Sequence, residues 1–308
     1  MIQKSNTPSY VNLRQGEWEK RIREANQMLA NCHLCPHGCG VNRLDGQIGK
    51  CHSTSQLEVS SYNPHFGEEP PLSGNYGSGT VFFTYCTLRC VYCQNYPISQ
   101  LGNGNPVSVS DLAKIMLDLQ DQRCHNINLV TPTHFVPHIL TAVREASQAG
   151  LKIPLVYNTS GYETKETLQL LDGIIDIYLP DIKYAEEDIA CRYSRAEGYF
   201  PIAKEALLEM FRQVGNLRLN HQGIAVSGLM IRHLILPNQL AGTDLILPWI
   251  AKNLSREIYV SLMTQYFPAH QAIDDPVLGR KINRIEYQKA KHVLEGAGLL
   301  NGWIQQFH

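Results

Sequence analysis

From Thr80 to the C-terminus, short runs rich in β-branched residues alternate with segments patterned as helices. No other feature of the chain narrows its fold so far. The candidate strands are VFFTY (81–85), NINLV (126–130), IPLVY (153–157), IIDIYL (174–179), LMIRHLIL (229–236) and IYVSLM (258–263). Near-continuous apolar runs of this length suit parallel strands covered on both faces. Between them, Leu112, Ile115, Met116 and Leu119 repeat at helical spacing, with Ser108 or Ser110 placed to cap the start. A last helix is expected near Asn283, with Glu286 completing a capping box, and it ends toward Gly296 and Gly298. Alternation of this kind implies right-handed βαβ units and an α/β fold. The six units fall short of a closed eight-stranded barrel. The expectation is therefore a partial (β/α)6 barrel of parallel strands, with its chemistry at the C-terminal strand ends.

The first part of the chain reads differently. RQGEWEKRIREANQMLA (14–30) has the spacing of one helix. Residues 31–79 are rich in Gly, Pro, Ser, His and Cys with little periodicity, and read as loops pinned by metal. The expected organisation is a helix and cysteine-rich metal-binding extension over 1–79, then the barrel domain over 80–308.

The bulk composition excludes several classes. A 44% apolar content argues for a folded core. With a formal net charge of −1 there is no basic surplus for binding nucleic acid through phosphates. The sequence has no apolar run long enough to span a membrane and no secretory leader pattern, so the expected location is cytoplasmic, with no membrane partner. In that compartment the nine cysteines point to ligation or catalysis rather than disulfides. Seven of them fall in two groups between Cys32 and Cys93, while Cys124 and Cys191 stand alone as bystanders.

The sharper group is Cys86-Thr-Leu-Arg-Cys90-Val-Tyr-Cys93, directly after the first candidate strand. Thiolates are soft ligands for iron–sulfur clusters or zinc. Three on one loop can hold three irons of a [4Fe–4S] cluster and leave the fourth open, whereas most electron-transfer clusters take four cysteines. The alternatives are a zinc loop or three core cysteines. The second group, Cys32-x2-Cys35-x3-Cys39-x11-Cys51, offers four thiolates and no vacancy. That is the requirement of a closed structural site, either zinc, which the C-x2-C spacing favours, or a second cluster.

C-x3-C-x2-C with Tyr92 before the last cysteine resembles the signature of the radical S-adenosylmethionine superfamily. GEEPPLSGNYGSGTVFF (67–83), NINLVTPTHFVP (126–137), YNTSGYE (157–163), LPDIKY (179–184), SLMTQYFP (261–268) and INRIEYQKAKHVLEGAGLLNGWIQ (282–305) resemble one branch of it. That branch is the set of iron–sulfur proteins related to pyruvate formate-lyase activating enzyme. The resemblance implies an oxidoreductase with a [4Fe–4S] cluster and S-adenosylmethionine as cofactors. One electron cleaves the sulfonium to a 5′-deoxyadenosyl radical, which abstracts hydrogen from a substrate. It also implies an electron donor such as flavodoxin or ferredoxin.

With that resemblance, the strand ends supply candidate cofactor-binding residues. Where many members carry Gly-Gly-Glu, this chain has Thr131-Pro-Thr133-His134, and Thr131, Thr133 and His134 offer oxygen or nitrogen partners. Asn158, Thr159 and Ser160 suit ribose hydroxyls or the amino-acid end. Asp181 and Lys183 resemble the Asp-x-Lys of the activating enzymes, which helps position the cofactor. Arg232 could pair with the methionyl carboxylate. Tyr92 completes the set; Gln265 and Tyr266 would face substrate. Three functions follow: a radical enzyme acting on a peptide, protein or small molecule; an activating enzyme that installs a glycyl radical on a partner; or a non-catalytic zinc or iron–sulfur protein. The approach to the first strand, Leu72-Ser-Gly-Asn-Tyr-Gly-Ser-Gly79, departs from the Asp-Gly-Pro-Gly-x-Arg of the activating enzymes.

Overall fold

The structure is a computed structural model that describes residues 7–307. In chain order it comprises α1 (Gln15–Ala30), β1 (Glu58–His65), α2 (Pro70–Ser73), β2 (Ser78–Phe83), α3 (Tyr96–Ser99), β3 (Asn105–Pro106) and α4 (Val109–Asp121). There follow β4 (Ile127–Val130), α5 (Val136–Gln148), β5 (Leu155–Thr159), α6 (Lys165–Leu170), β6 (Ile177–Pro180), α7 (Glu187–Ser194) and α8 (Tyr199–Val214). The remainder is β7 (Arg218–Leu219), β8 (Ala225–Leu234), α9 (Thr243–Asn253), β9 (Tyr259–Met263), α10 (Arg284–Gly296) and β10 (Gly302–Ile304).

The sheet runs β10-β9-β8-β6-β5-β4-β2-β1-β3. From β2 to β10 every neighbour is parallel. β1 lies antiparallel on the outer side of β2, so β2 and β9 do not meet and the barrel stays open. This is the expected partial barrel, with the short β10 adding a parallel strand at the far edge.

Alternation of side chains along each strand divides the core. Leu129, Tyr157, Tyr178 and Ile231 pack outward with the helices in the main apolar cluster. Val156, Leu179 and Met230 face inward, closed from one end by Leu72 of α2. The helices start where their caps place them. Ser108 and Asp111 form a capping box on α4, Asn283 and Glu286 form one on α10, and Thr164 caps α6.

Two expectations need correction. Residues 31–79 are not all loop, because 58–65 form β1. EVSSYNPH is half exposed and weakly patterned; it becomes a strand by pairing with the edge that β2 would otherwise leave open. The parallel strands also start or end a few residues from the candidate runs. β2 stops at Phe83, so Thr84 and Tyr85 belong to the loop that carries Cys86.

The segment before β1 is joined to the barrel by buried polar contacts. Arg43 has no exposed surface; its Nη1 donates to the carbonyl of His134 at 2.7 Å and its Nε to that of Thr54 at 3.0 Å. Thr167 Oγ1 donates to the carbonyl of Leu34 at 2.8 Å, and α1 packs on α5. Among the described residues no helix is long and apolar enough to cross a membrane.

Candidate active site at the strand ends

A cavity of about 250 Å³ opens at the C-terminal ends of the parallel strands. The β2 loop contributes Cys86, Cys90, Tyr92 and Cys93. The ends of β4, β5, β6 and β8 contribute Thr131, Asn158 with Ser160, Asp181 with Lys183, and Arg232. Residues up to 179 positions apart in the chain, Cys86 and Gln265, therefore line one space, because parallel strands bring all their C-terminal ends to one face.

Each thiol of the triplet has a neighbouring donor. Cys86 Sγ accepts from the backbone N–H of Leu88 at 3.4 Å. Cys90 Sγ accepts from the Ser194 hydroxyl of α7 at 2.9 Å, and Cys93 Sγ lies 3.1 Å from the Ser99 hydroxyl. Tyr184 extends this chain of hydroxyls, 2.6 Å from Ser194 and 2.7 Å from Tyr92. Burial raises the Cys86 thiol and pushes that of Cys90 up to about 12, so metal uptake here displaces protons. Three soft donors on one side of a cavity, each with a hydrogen bond to stabilise negative sulfur, fit an iron–sulfur cluster. Among the described residues no three His, Cys, Asp or Glu side chains converge on a single metal ion.

Facing the thiols is a polar group built around Arg232. Its Nε donates to Asp181 at 2.6 Å, its Nη2 to Asn158 Oδ1 at 2.6 Å and its Nη1 to Glu68 at 3.3 Å. Lys183 Nζ reaches the other oxygen of Asp181 at 2.7 Å. Burial disfavours the Asp181 carboxylate, but the charges of Arg232 and Lys183 outweigh it and hold its pKa below the usual carboxylate value. Burial likewise opposes the charge on Lys183, and Asp181 overcomes it in turn, leaving the lysine firmly protonated. Glu68 is different. Burial outweighs the attraction of Arg232 and raises it to about 7. Gly161 allows the strand ends to close in, since a side chain there would meet the Asp181 carbonyl at 2.7 Å.

The cavity gathers Tyr92, Thr131, Asn158, Ser160, Asp181, Lys183 and Arg232, together with Gln265. It does not gather Thr133 or His134. Thr133 is buried and donates to Glu163 at 2.6 Å; His134 is buried with Nε2 on the carbonyl of Thr84 at 2.8 Å, and burial lowers it to about 3. Both lie in the short helical turn after β4, which turns their side chains into the wall and away from the cavity. Tyr266 packs on Tyr92 and donates to the carbonyl of Leu278. The cysteines of the extension lie elsewhere, joined to the triplet loop through His37 Nε2, which donates to the carbonyl of Thr87 at 2.8 Å. Sequence reasoning missed Ser99, Ser194 and Glu68. The adjacent acids before Pro70-Pro71 were a usable signal; for the serines there was none.

The Radical SAM superfamily sequence model matches residues 80–229. An uncharacterized protein of Methanocaldococcus jannaschii is 33% identical over 288 residues, covering 89% of this chain and 77% of that one. Among solved structures, methylornithine synthase aligns at 13% identity over 72% of this chain and 62% of its own, with a TM-score of 0.46. A domain of pyruvate-formate lyase-activating enzyme from Bacteroides vulgatus aligns at 15% identity over 57% of this chain and 94% of its own, with a TM-score of 0.41.

Proposed function

This chain belongs to the radical S-adenosylmethionine superfamily, and from that premise we propose that Cys86, Cys90 and Cys93 hold a [4Fe–4S] cluster at which S-adenosylmethionine is reductively cleaved. Membership carries S-adenosylmethionine and the cluster as cofactors, and a reductant and a substrate as requirements. When bound, the reduced cluster supplies the electron that breaks the sulfonium, giving a 5′-deoxyadenosyl radical that takes hydrogen from a peptide or small-molecule substrate.

The observation that supports this reading is the shared cavity: three thiols on one wall face an ionised Asp181 with Lys183, Arg232 and Asn158 on the other. A zwitterionic amino-acid end finds both signs of charge there. Arg232 commits three of its five N–H groups to Asp181, Asn158 and Glu68, and two remain for a carboxylate. Asp181 is bonded to both cations and still has acceptor capacity for an ammonium. Asn158 and Ser160 hold ribose hydroxyls, while Tyr92, Leu234 and Met263 line the remaining wall and limit water. A small electron carrier such as flavodoxin or ferredoxin serves as donor. In the same reading residues 1–79 form an extension to a barrel over 80–308, and Cys32, Cys35, Cys39 and Cys51 take a second metal centre, zinc or a cluster.

The test is anaerobic reconstitution with iron and sulfide, dithionite reduction, and electron paramagnetic resonance with and without S-adenosylmethionine. The expected result is a cluster signal that shifts with the cofactor, with 5′-deoxyadenosine released. A cofactor-dependent shift and 5′-deoxyadenosine release that Cys86→Ala leaves intact would overturn the assignment. Metal analysis addresses the extension: about four irons with one zinc indicate zinc, and about eight irons a second cluster.

A further inference from the structure

A second pocket, of about 440 Å³, lies where the extension meets the triplet loop. Its wall includes Lys50 and His52 from the extension, Thr87 and Arg89 from between Cys86 and Cys90, and Arg195 and Glu197 just after α7. On a chain of net charge −1, three permanent cations and two histidines, His37 and His52, here face a single carboxylate. None of Lys50, Arg89 and Arg195 makes an ion pair with a described residue.

The buried donors point the same way. Thr87 is 2% exposed and its hydroxyl has no hydrogen-bond partner. The Nε and Nη1 of Arg89 are also buried without one. Each such group is costly to leave unpaired, and folded proteins rarely retain several together. In addition, His52, Arg89 and Arg195 all adopt the left-handed backbone region, at φ 67°, 56° and 54°. Strain of this kind gathers at functional sites.

We infer that this pocket binds an oxyanion, the phosphoryl or carboxylate group of a small molecule. Arg89, Arg195 and Lys50 supply the charge and the Thr87 hydroxyl a buried donor. A small ligand fits better than a protein surface, because the unpartnered donors are at the buried side of a concavity. The inference rests on these residues and not on the reaction proposed above. Its place between Cys86 and Cys90 is one from which a bound anion acts electrostatically on the triplet.

The experiment is calorimetric titration of inorganic phosphate, and separately of acetate, into the anaerobically reconstituted protein at constant ionic strength. Saturable binding is expected, weakened roughly tenfold or more by Arg195→Ser and by Lys50→Ser. Both positions are exposed, so unfolding temperature and the visible spectrum should stay at wild-type values. Tighter binding of phosphate assigns a phosphoryl ligand, and equal or tighter binding of acetate a carboxylate; either supports the site. Thr87→Val, which preserves shape, should also weaken binding. No saturable heat with either anion, or wild-type affinity in both charge variants, would overturn it.

Discussion

The two cysteine groups differ in how they are held. The triplet occupies one loop at a strand end, and its side-chain donors come from other elements, Ser99 on α3 and Ser194 on α7. The extension's four cysteines are shaped by local turns. Gly38, Gly40 and Gly46 take positive φ, and Gly49 lets the chain approach Cys39, whose sulfur would lie 2.9 Å from any added Cβ. One group therefore depends on the barrel for its surroundings and faces a cavity. The other depends on its own backbone and on the anchor of Arg43. In the proposed function the first does chemistry and the second braces the fold.

The largest effect expected is from Cys90→Ala, which should reduce 5′-deoxyadenosine formation to background, while Cys39→Ala lowers thermal stability and leaves the triplet's resonance signal in place. Equal loss of that signal in both would erase the distinction. Next, Arg43→Met removes the buried anchor and leaves the carbonyls of His134 and Thr54 short of a donor; denaturant unfolding should show a loss of about 3–5 kcal/mol.

A third test concerns Glu163, which is buried among Thr133, Thr159 and Tyr157. Burial, only partly offset by those hydroxyls, raises it from 4.5 to about 7. The folded chain therefore keeps a proton that the unfolded chain loses. The resulting stability is complete below pH 4.5 and is lost as pH rises through 7. Unfolding free energies followed against pH should fall about 3 kcal/mol further in the wild type than in Glu163→Gln over that interval. Parallel curves for the two proteins would show that Glu163 is not protonated in the fold. The smallest effect is from Ser194→Ala. Loss of one hydrogen bond to Cys90 should lower the midpoint potential of the reconstituted protein by roughly 40 mV, about 1 kcal/mol, with binding of S-adenosylmethionine unchanged.

Much of this was legible in the residues. Strand–helix alternation implied parallel strands and an open barrel, since period and length reflect local sterics and burial. The spacing of Cys86, Cys90 and Cys93 marked the triplet, and Asp181, Lys183, Asn158 and Arg232 were found at strand ends, which converge by topology. Thr133 and His134 satisfied the same rule, yet a single helical turn after β4 leaves them in the wall and outside the cavity.

By itself the sequence determined what depends on neighbours along the chain: the helix caps at Ser108 and Asn283, the alternating elements, the thiols on one loop, and the absence of a basic surplus. The tertiary structure alone decided what depends on contacts between distant segments. It made a strand of residues 58–65, set Ser194 against Cys90, placed Glu68 beneath Arg232, and brought Lys50, Arg89 and Arg195 around one pocket. The physical reason is that hydrogen bonding and electrostatics act through space over a few ångströms, and only packing of the whole chain determines which side chains come that close.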